Sequence, residues 1–162
     1  MRSFLRYAIL GFALAAFAAP TVSVSAQSKE PVGLGTWKLN VEKSKYSPGP
    51  APKSLTARFE AAGKGVKLTT EGVGADGKPT ATEYTANYDG KDYPLKGSPV
   101  ADTMTLRRIN NRTTLRTDKK DGKVVGTQRR EIAKDGKTAT VTIKGTNAKG
   151  EPVNNLLVFE KQ

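Results

Sequence analysis

Residues 121–137 read DGKVVGTQRREIAKDGK, a short run bounded on both sides by Asp-Gly-Lys. The same tripeptide occurs at Asp76-Gly77-Lys78 and at Asp89-Gly90-Lys91. Asp-Gly suits a two-residue type I′ hairpin loop, because both central residues need a positive φ that Gly adopts freely and Asp tolerates. The four copies therefore predict antiparallel strands joined by tight turns.

The N-terminus has the three regions of a secretory signal peptide. Arg2 and Arg6 precede an apolar run over residues 7–19, and Val24-Ser25-Ala26 places small residues where a signal peptidase cleaves. The run ends at Pro20, short of the roughly 20 apolar residues that a membrane-spanning helix needs. We expect a signal peptide over residues 1–26, export to the periplasm or the medium, and no transmembrane segment in the mature chain.

The mature chain is expected to be strongly basic. The leader carries two Arg and no acidic residue, so its removal lowers the formal net charge from +12 to +10. In an exported protein this charge favours anionic envelope surfaces or acidic ligands as partners, and not nucleic acid. A basic surface that only keeps the protein soluble is the alternative.

Residues 27–33 are predicted to be a flexible arm, and residues 34–162 a single domain. Ten short strands separated by Gly, Asn and Asp are predicted between Leu34 and Lys161. Glu42–Lys53 is expected to be irregular because Pro cannot sit inside a ladder, apart from one short helical turn over residues 41–45. This pattern predicts an all-β, up-and-down antiparallel barrel of about eight to ten strands, with a sandwich as the alternative.

Alternation along the strands predicts an apolar interior. In residues 54–60 the apolar set is Leu55, Ala57 and Phe59, and the residues between them are polar. A barrel of the outer membrane has the reverse arrangement, with an apolar outer band. We therefore expect the strands to enclose a hydrophobic core.

Gly35-Thr36-Trp37 on the first predicted strand resembles the Gly-x-Trp motif of the calycins, which include lipocalins, fatty-acid-binding proteins and avidins. The resemblance implies a lipocalin-like barrel in which Trp37 closes one end under a basic side chain and the interior holds a small, mostly apolar ligand. In fatty-acid-binding proteins, an Arg and a Tyr near the C-terminus hold the carboxylate of the ligand. This chain has apolar Leu157 and Phe159 in that region. A plain core role for Trp37 fits the same motif.

The composition argues against an enzyme. The sequence contains neither His nor Cys, which excludes the usual nucleophile pairs and the common zinc sites. Its acidic residues are expected in turns or on outer faces, and there is no calcium-binding loop motif. We expect no catalytic residue, no metal and no cofactor.

Hairpin registers predict an unusual set of polar residues inside the barrel. Two-residue loops at Asn110-Asn111 and Asp121-Gly122 would place Arg108 and Arg130 opposite Thr113, and Leu106 and Gln128 opposite Leu115. The inner face would then carry these residues: Met104, Leu106, Arg108, Leu115, Val124, Gln128, Arg130, Ile132, Ala139, Val141 and Ile143.

An Arg in such a place needs a partner, and no acidic residue is predicted nearby. In one interpretation Arg108, Gln128 and Arg130 anchor the headgroup of an acidic ligand. In the other, one Arg stacks over Trp37 as a lid on the barrel end and the other extends to the rim.

Two further groups are candidate binding residues. Tyr84, Tyr88 and Tyr93 are predicted to share the inner face, as core packing or as pocket lining. Arg107, Arg116 and Arg129, with Arg112, are predicted on the outer face, where they form an anionic-surface binding site or protect sheet edges.

The sequence thus predicts an exported, lipocalin-like binding protein for a small amphipathic or acidic ligand. The predicted ligand-binding residues are Trp37, Tyr84, Tyr88, Tyr93, Arg108, Leu115, Gln128 and Arg130. The alternative is an envelope interaction protein or inhibitor that has no cavity and uses its basic outer face. A cavity of roughly 300 Å³ or more would separate the two.

Overall fold

Ten antiparallel strands form one sheet in the computed structural model, which describes residues 32–162. The predicted leader and most of the predicted arm lie outside the described residues. The strands are β1 (Gly35–Lys45), β2 (Ser54–Ala62), β3 (Gly65–Val73), β4 (Pro79–Asn87), β5 (Asp89–Pro94), β6 (Thr103–Asn110), β7 (Thr113–Lys120), β8 (Lys123–Ile132), β9 (Thr138–Thr146) and β10 (Pro152–Lys161).

The sheet curls into a nearly closed barrel. Its strand order is β4-β3-β2-β1-β10-β9-β8-β7-β6-β5, so the first and last strands pair with each other. At the two ends of the sheet, β4 meets the segment just after β5 through one isolated bridge between Glu83 and Lys96. The predicted all-β, up-and-down architecture is confirmed, and it is the one that the calycin resemblance implied. The predicted helical turn over residues 41–45 is wrong, because this segment continues β1.

Three of the four Asp-Gly copies lie in turns, of two kinds, whereas Asp89-Gly90 begins β5, which pairs with β6 and not with β4 as expected. Asp121 and Gly122 both have positive φ, 49° and 75°, as a type I′ loop requires. At Asp135-Gly136, only the Gly has positive φ, and its N–H donates to the Ala133 carbonyl. The same holds for Gly77 and the Gly74 carbonyl. In these two turns the Asp carboxylate accepts the N–H of the following Lys. The prediction of a type I′ loop at every Asp-Gly copy is therefore wrong.

The predicted register holds between β8 and β9 and fails on both sides of β7. Gln128 pairs with Ile143 and Arg130 with Val141, as expected. One shift lies between Arg108 and Asn110 in β6, and the other lies where Asp118 pairs with Gly126 and Lys119 pairs with Val124. The β6–β7 loop is Asn111-Arg112 and not the expected Asn110-Asn111, since Asn110 pairs with Thr113, and the unpaired Ile109 beside it leaves a net displacement of one residue. In β8 the inserted residue is Val125. β6 and β8 therefore keep their relation to each other while β7 moves by one position.

Because side chains alternate across a strand, this slip exchanges the two faces of β7. Leu106 pairs with Arg116 instead of Leu115, and Arg130 pairs with Thr114 instead of Thr113. Leu115 therefore lies on the outer face, between Arg107 and Arg129. The predictions of an inner Leu115 and an outer Arg116 are both wrong. Val124 is also exposed, contrary to its predicted inward position, and Val125 packs against the core.

The buried residues form one core inside the barrel. Trp37, Met104 and Val66 are the largest fully buried side chains. Alternate residues of β2, β3, β4, β9 and β10 complete this core, as the sequence pattern predicts. The strands thus supply an apolar wall, and β7 and β8 supply the polar groups described next.

Candidate functional site

A cavity of about 300 Å³ lies inside the barrel. Its wall is mainly apolar, with polar groups from β7 and β8 on one side and hydroxyl groups from β3 and β4 on another. The main lining residues are Trp37, Leu55, Ala57, Phe59, Leu68, Thr70, Thr80, Thr82, Tyr84, Ser98, Val100, Leu106, Thr114, Arg116, Asp118, Gln128, Arg130, Val141, Ile143, Leu157 and Phe159. The barrel therefore has room for a small molecule.

Arg130 and Trp37 close one end of this cavity. The guanidinium carbon of Arg130 lies 4.8 Å from the centre of the Trp37 ring system and 4.0 Å from that of Phe59. Arg130 and Phe59 also line a void of about 20 Å³ that Arg108 and Ile132 border on the other side. Arg130 and Phe59 thus lie at the boundary between the two spaces, and we call these two residues together with Trp37 the floor of the cavity.

The carbonyl of Gly33 holds the floor in place. It accepts the Trp37 indole N–H at 3.2 Å and an Nη2 hydrogen of Arg130 at 3.1 Å. Gly33 has a φ of 106°, and a Cβ there would lie 2.6 Å from Cδ1 of Ile132. The site needs Gly for its backbone conformation and for the space that it leaves.

Burial lowers the pKa of Arg130 to about 10, because the enclosed guanidinium loses hydration. Tyr84 and Tyr88 act in the opposite direction on this pKa, by a smaller amount. The Gly33 carbonyl and the two aromatic rings thus compensate the charge in place of a carboxylate. This is the arrangement of a lid over Trp37, the second of the two interpretations that the sequence allowed.

A second polar cluster, formed by Arg116, Asp118 and Gln128, lies on the cavity wall. Nε and Nη2 of Arg116 donate to the two carboxylate oxygens of Asp118, with an Nη2–Oδ2 distance of 3.1 Å. Nε2 of Gln128 donates to the same Oδ2 at 3.0 Å. The ion pair is largely enclosed, with 12% of the Arg116 side chain and 10% of the Asp118 side chain exposed. We call these three residues the polar cluster.

Part of the polar cluster stays open to the cavity. Among residues 32–162, the hydroxyl oxygen of Tyr46 is the one fully buried side-chain nitrogen or oxygen without a hydrogen-bond partner. Nη1 of Arg116 and Oε1 of Gln128 have no hydrogen-bond partner among the described residues either, but they are not fully buried, and both side chains line the cavity. The polar cluster therefore offers a ligand both donors and an acceptor.

Tyr84 lies beside the polar cluster. The guanidinium carbon of Arg116 is 5.2 Å from the centre of its ring. Burial raises the pKa of the Tyr84 hydroxyl to about 12, and the charge of Arg116 opposes this rise by a smaller amount. Tyr84 therefore stays neutral at physiological pH. The hydroxyls of Thr70 and Thr82, 2.6 Å apart, add a second polar patch to the wall.

The predicted ligand-binding residues divide into three groups. Trp37, Tyr84, Gln128 and Arg130 line the cavity. Arg108 and Tyr88 instead border the small void, where the Arg108 guanidinium carbon lies 4.0 Å from the centre of the Tyr88 ring. Arg108 is exposed there, at the rim.

The remaining two predicted residues do not reach the cavity. Tyr93 donates its hydroxyl hydrogen to Asp89. Leu115 lies on the outer face between two exposed Arg residues.

Sequence reasoning missed Arg116 and Asp118 as cavity residues. The expectation that no acidic residue lies inside is wrong, since Asp118 is buried there. Opposite charges at positions i and i+2 of one strand share a face, and this spacing was the available signal.

On the outer face, Arg107 and Arg112 are exposed, and Arg129 lies 2.8 Å from Glu131 in an exposed ion pair. Within residues 32–162, no group of three or more His, Cys, Asp or Glu residues is placed to hold a metal ion. That part of the chain also contains no helix long and apolar enough to cross a bilayer.

Comparison with known proteins gives structural neighbours only. No family model matches the sequence, and neither does any curated protein. The ileal bile-acid-binding protein of zebrafish, solved with cholic acid, has a TM-score of 0.46 and 12% identity, over 80% of this chain and 98% of that chain. The siderocalin Ex-FABP, which functions through dual ligand specificities, has a TM-score of 0.37 and 11% identity, over 80% of this chain and 73% of that chain.

Proposed function

We propose that this chain is an exported binding protein that holds one small amphipathic molecule inside its barrel. The observation that supports the proposal is the cavity of about 300 Å³, with its apolar wall and its one-sided polar cluster. Pockets for small molecules typically measure about 300–1,000 Å³ and combine apolar walls with a few placed polar groups. The cavity lies at the lower end of that range, which favours a ligand with a single chain or a small ring system.

The wall also supports an amphipathic ligand. Side chains such as Leu55, Ile143 and Phe159 offer apolar contact, and the polar cluster offers hydrogen bonds at one place. A purely apolar ligand would leave the open groups of Arg116 and Gln128 without a partner, which costs free energy. The fit is best for a molecule with one polar group on an apolar body.

Binding, and not catalysis, is the role that these residues suit. Within residues 32–162 the one buried carboxylate, that of Asp118, is held by two donors of Arg116 and one of Gln128. The sequence has no His or Cys to act as a base or nucleophile. The cavity also counts against the alternative of an interaction protein without one.

Export rests on residues 1–26 of the sequence, and with it a periplasmic or secreted location. An anionic envelope surface is a second partner that we propose for the same chain, because Arg107 and Arg112 are exposed on the outer face. The formal charge of +10 after removal of the leader favours such contacts.

Binding inside the barrel is tested with N-phenyl-1-naphthylamine, a neutral probe that fluoresces in apolar surroundings. Ile143→Trp should fill the cavity and lower the affinity for the probe by about tenfold or more, since the added ring takes the space of the ligand. Lys144→Trp is the matched control, because it adds the same side chain to the neighbouring, exposed position of β9.

No binding to the wild-type protein, or equal binding by both variants, would contradict a barrel site. Native mass spectrometry of protein purified from its own host should in addition detect a retained molecule.

A further inference from the structure

We infer that the polar cluster is a charge-neutral headgroup site that selects an uncharged, hydrogen-bonding group over a carboxylate, with Asp118 as the residue that determines this preference. The inference rests on the proposed function and names the class of ligand for the same cavity. It replaces the acidic ligand that the sequence allowed with a neutral one, such as an alcohol or an amide.

The charge of Arg116 in the polar cluster is balanced before a ligand binds. Arg116 and Asp118 form an enclosed ion pair in which both carboxylate oxygens accept from the guanidinium. The positive charge that would attract a ligand anion is therefore already balanced. A ligand carboxylate reaching Nη1 of Arg116 would also lie near the carboxylate of Asp118, and like charges repel strongly in an enclosed site.

The polar cluster has both a donor and an acceptor left for a ligand. A carboxylate only accepts, so it is Nε2 of Gln128 that donates to Asp118, and the acceptor Oε1 remains for the ligand. The Nη1 group of Arg116 remains as a donor. A hydroxyl or an amide both donates and accepts and can satisfy the two groups together. An ionised carboxylate cannot donate and would leave Oε1 of Gln128 without a partner.

The other cavity cation does not take over the headgroup role. Arg130 contacts the rings of Trp37 and Phe59 and donates to the Gly33 carbonyl. It belongs to the floor, and these contacts engage the guanidinium before any ligand enters. The polar cluster is therefore the place where a headgroup is recognised.

The test compares decanol, decanoate and decylamine as competitors of N-phenyl-1-naphthylamine, at a neutral pH where decanoate and decylamine are both charged. The three molecules share the same chain, so differences in affinity report on the headgroup. The wild-type protein should bind decanol at least about tenfold more tightly than decanoate or decylamine. This factor corresponds to the loss of one charge-assisted hydrogen bond, or to repulsion by the like charge of the polar cluster.

Two variants unbalance the polar cluster in opposite directions. Asp118→Asn leaves the charge of Arg116 unpaired and should raise decanoate affinity by about tenfold or more. Arg116→Gln leaves Asp118 unpaired and should shift the preference toward decylamine. The double variant is neutral again and should return to the preference for decanol, which tests the charge balance even if one single variant is unstable.

Glu131→Gln is the matched control, because it removes one carboxylate from an exposed ion pair on the outer face and should leave all three affinities unchanged. If the wild-type protein binds the probe and prefers decanoate, or if Asp118→Asn folds without gaining decanoate affinity, the headgroup inference is wrong and the barrel site stands. If the wild-type protein binds none of the molecules, the proposed function fails and the inference fails with it.

Discussion

Replacing Arg130 with Met should destabilise the fold and leave ligand affinity almost unchanged. Met keeps an unbranched apolar stem near Trp37 and Phe59 and removes the guanidinium. The change therefore separates two roles of the same side chain: a lid over Trp37, which serves the fold, and an anchor for a ligand anion, which serves binding.

Two opposing terms set the size of the effect. Removing a desolvated cation relieves a cost of about 3 kcal/mol, which corresponds to the fall of the Arg130 pKa from 12.5 to about 10. At neutral pH this cost is fully present, because Arg130 is protonated in both the folded and the unfolded state. Against this, two enclosed ring contacts contribute about 2 kcal/mol each, and the bond to the Gly33 carbonyl about 1.5 kcal/mol.

The lost contacts outweigh the relief, so we expect a net loss of about 2 kcal/mol and a melting temperature lower by roughly 5–10 °C. Urea unfolding followed by the fluorescence of Trp37, the single tryptophan of the chain, measures the free energy directly. Arg108→Met is the control. Arg108 is exposed and contacts one ring, that of Tyr88, so its loss should cost at most about 1 kcal/mol.

The reasoning fails if Arg130→Met is as stable as the wild-type protein or more stable. A tenfold fall in the affinity for decanoate, together with unchanged stability, would identify Arg130 as an anchor. It would also move the headgroup site from the polar cluster to the floor.

Three further predictions follow from the described contacts and from the leader. The pKa of Tyr84 is about 12 in the folded protein and about 10 in the unfolded chain, so the protein loses stability as pH rises from 10 to 12. Tyr84→Phe should reduce the loss of unfolding free energy at pH 11 by about 1 kcal/mol, measured by urea unfolding at pH 9 and 11. Anionic vesicles should retain the protein at low salt and release it at high salt, since the Debye length falls to about 10 Å at an ionic strength of 0.1 M. Arg107→Gln should weaken this retention, and Arg116→Gln should not, because Arg116 is enclosed. Equal weakening by both variants would contradict the outer-face site. The intact mass of the secreted protein should match a chain that begins at Gln27, whereas full-length protein in the inner membrane would overturn export.

Most of the strand order and most of the core could be predicted from the sequence because both depend on local patterns, although the β4–β5 hairpin expected at Asp89-Gly90 does not form. Apolar alternation and turn residues mark most of the hairpins. The strand segments from Leu55 to Phe59 and from Ala139 to Ile143 each have one clear apolar face. The β8–β9 register was also correct although its turn type was wrong, since the turn around Asp135-Gly136 brings the same residues opposite each other as a two-residue loop would.

The polar cluster was missed for a physical reason that involves one strand. β7 has a single apolar residue, Leu115, so its alternation carries little information about which face is buried. The prediction relied on turn geometry instead, and the β6–β7 loop at Asn111-Arg112 with its adjacent bulge, together with the inserted residue in β8, shifted β7 by one position. A one-residue slip exchanges every side chain of a strand, which is why one error placed Arg116, Asp118 and Leu115 all on the wrong side.

The seam between β4 and β5 is the boundary at which we expect the barrel to open most easily. Neighbouring strands elsewhere are joined by ladders, whereas this boundary is held by the two backbone hydrogen bonds between Glu83 and Lys96. Separating it breaks few hydrogen bonds, so local opening there costs much less than global unfolding, and amide hydrogens along that edge of β4 should exchange with solvent early. Because Thr80, Thr82 and Tyr84 of β4 line the cavity, we expect widening of the seam to enlarge the cavity without loss of a ladder. This boundary, where the sheet ends, is therefore the place at which we expect the volume of the cavity to vary.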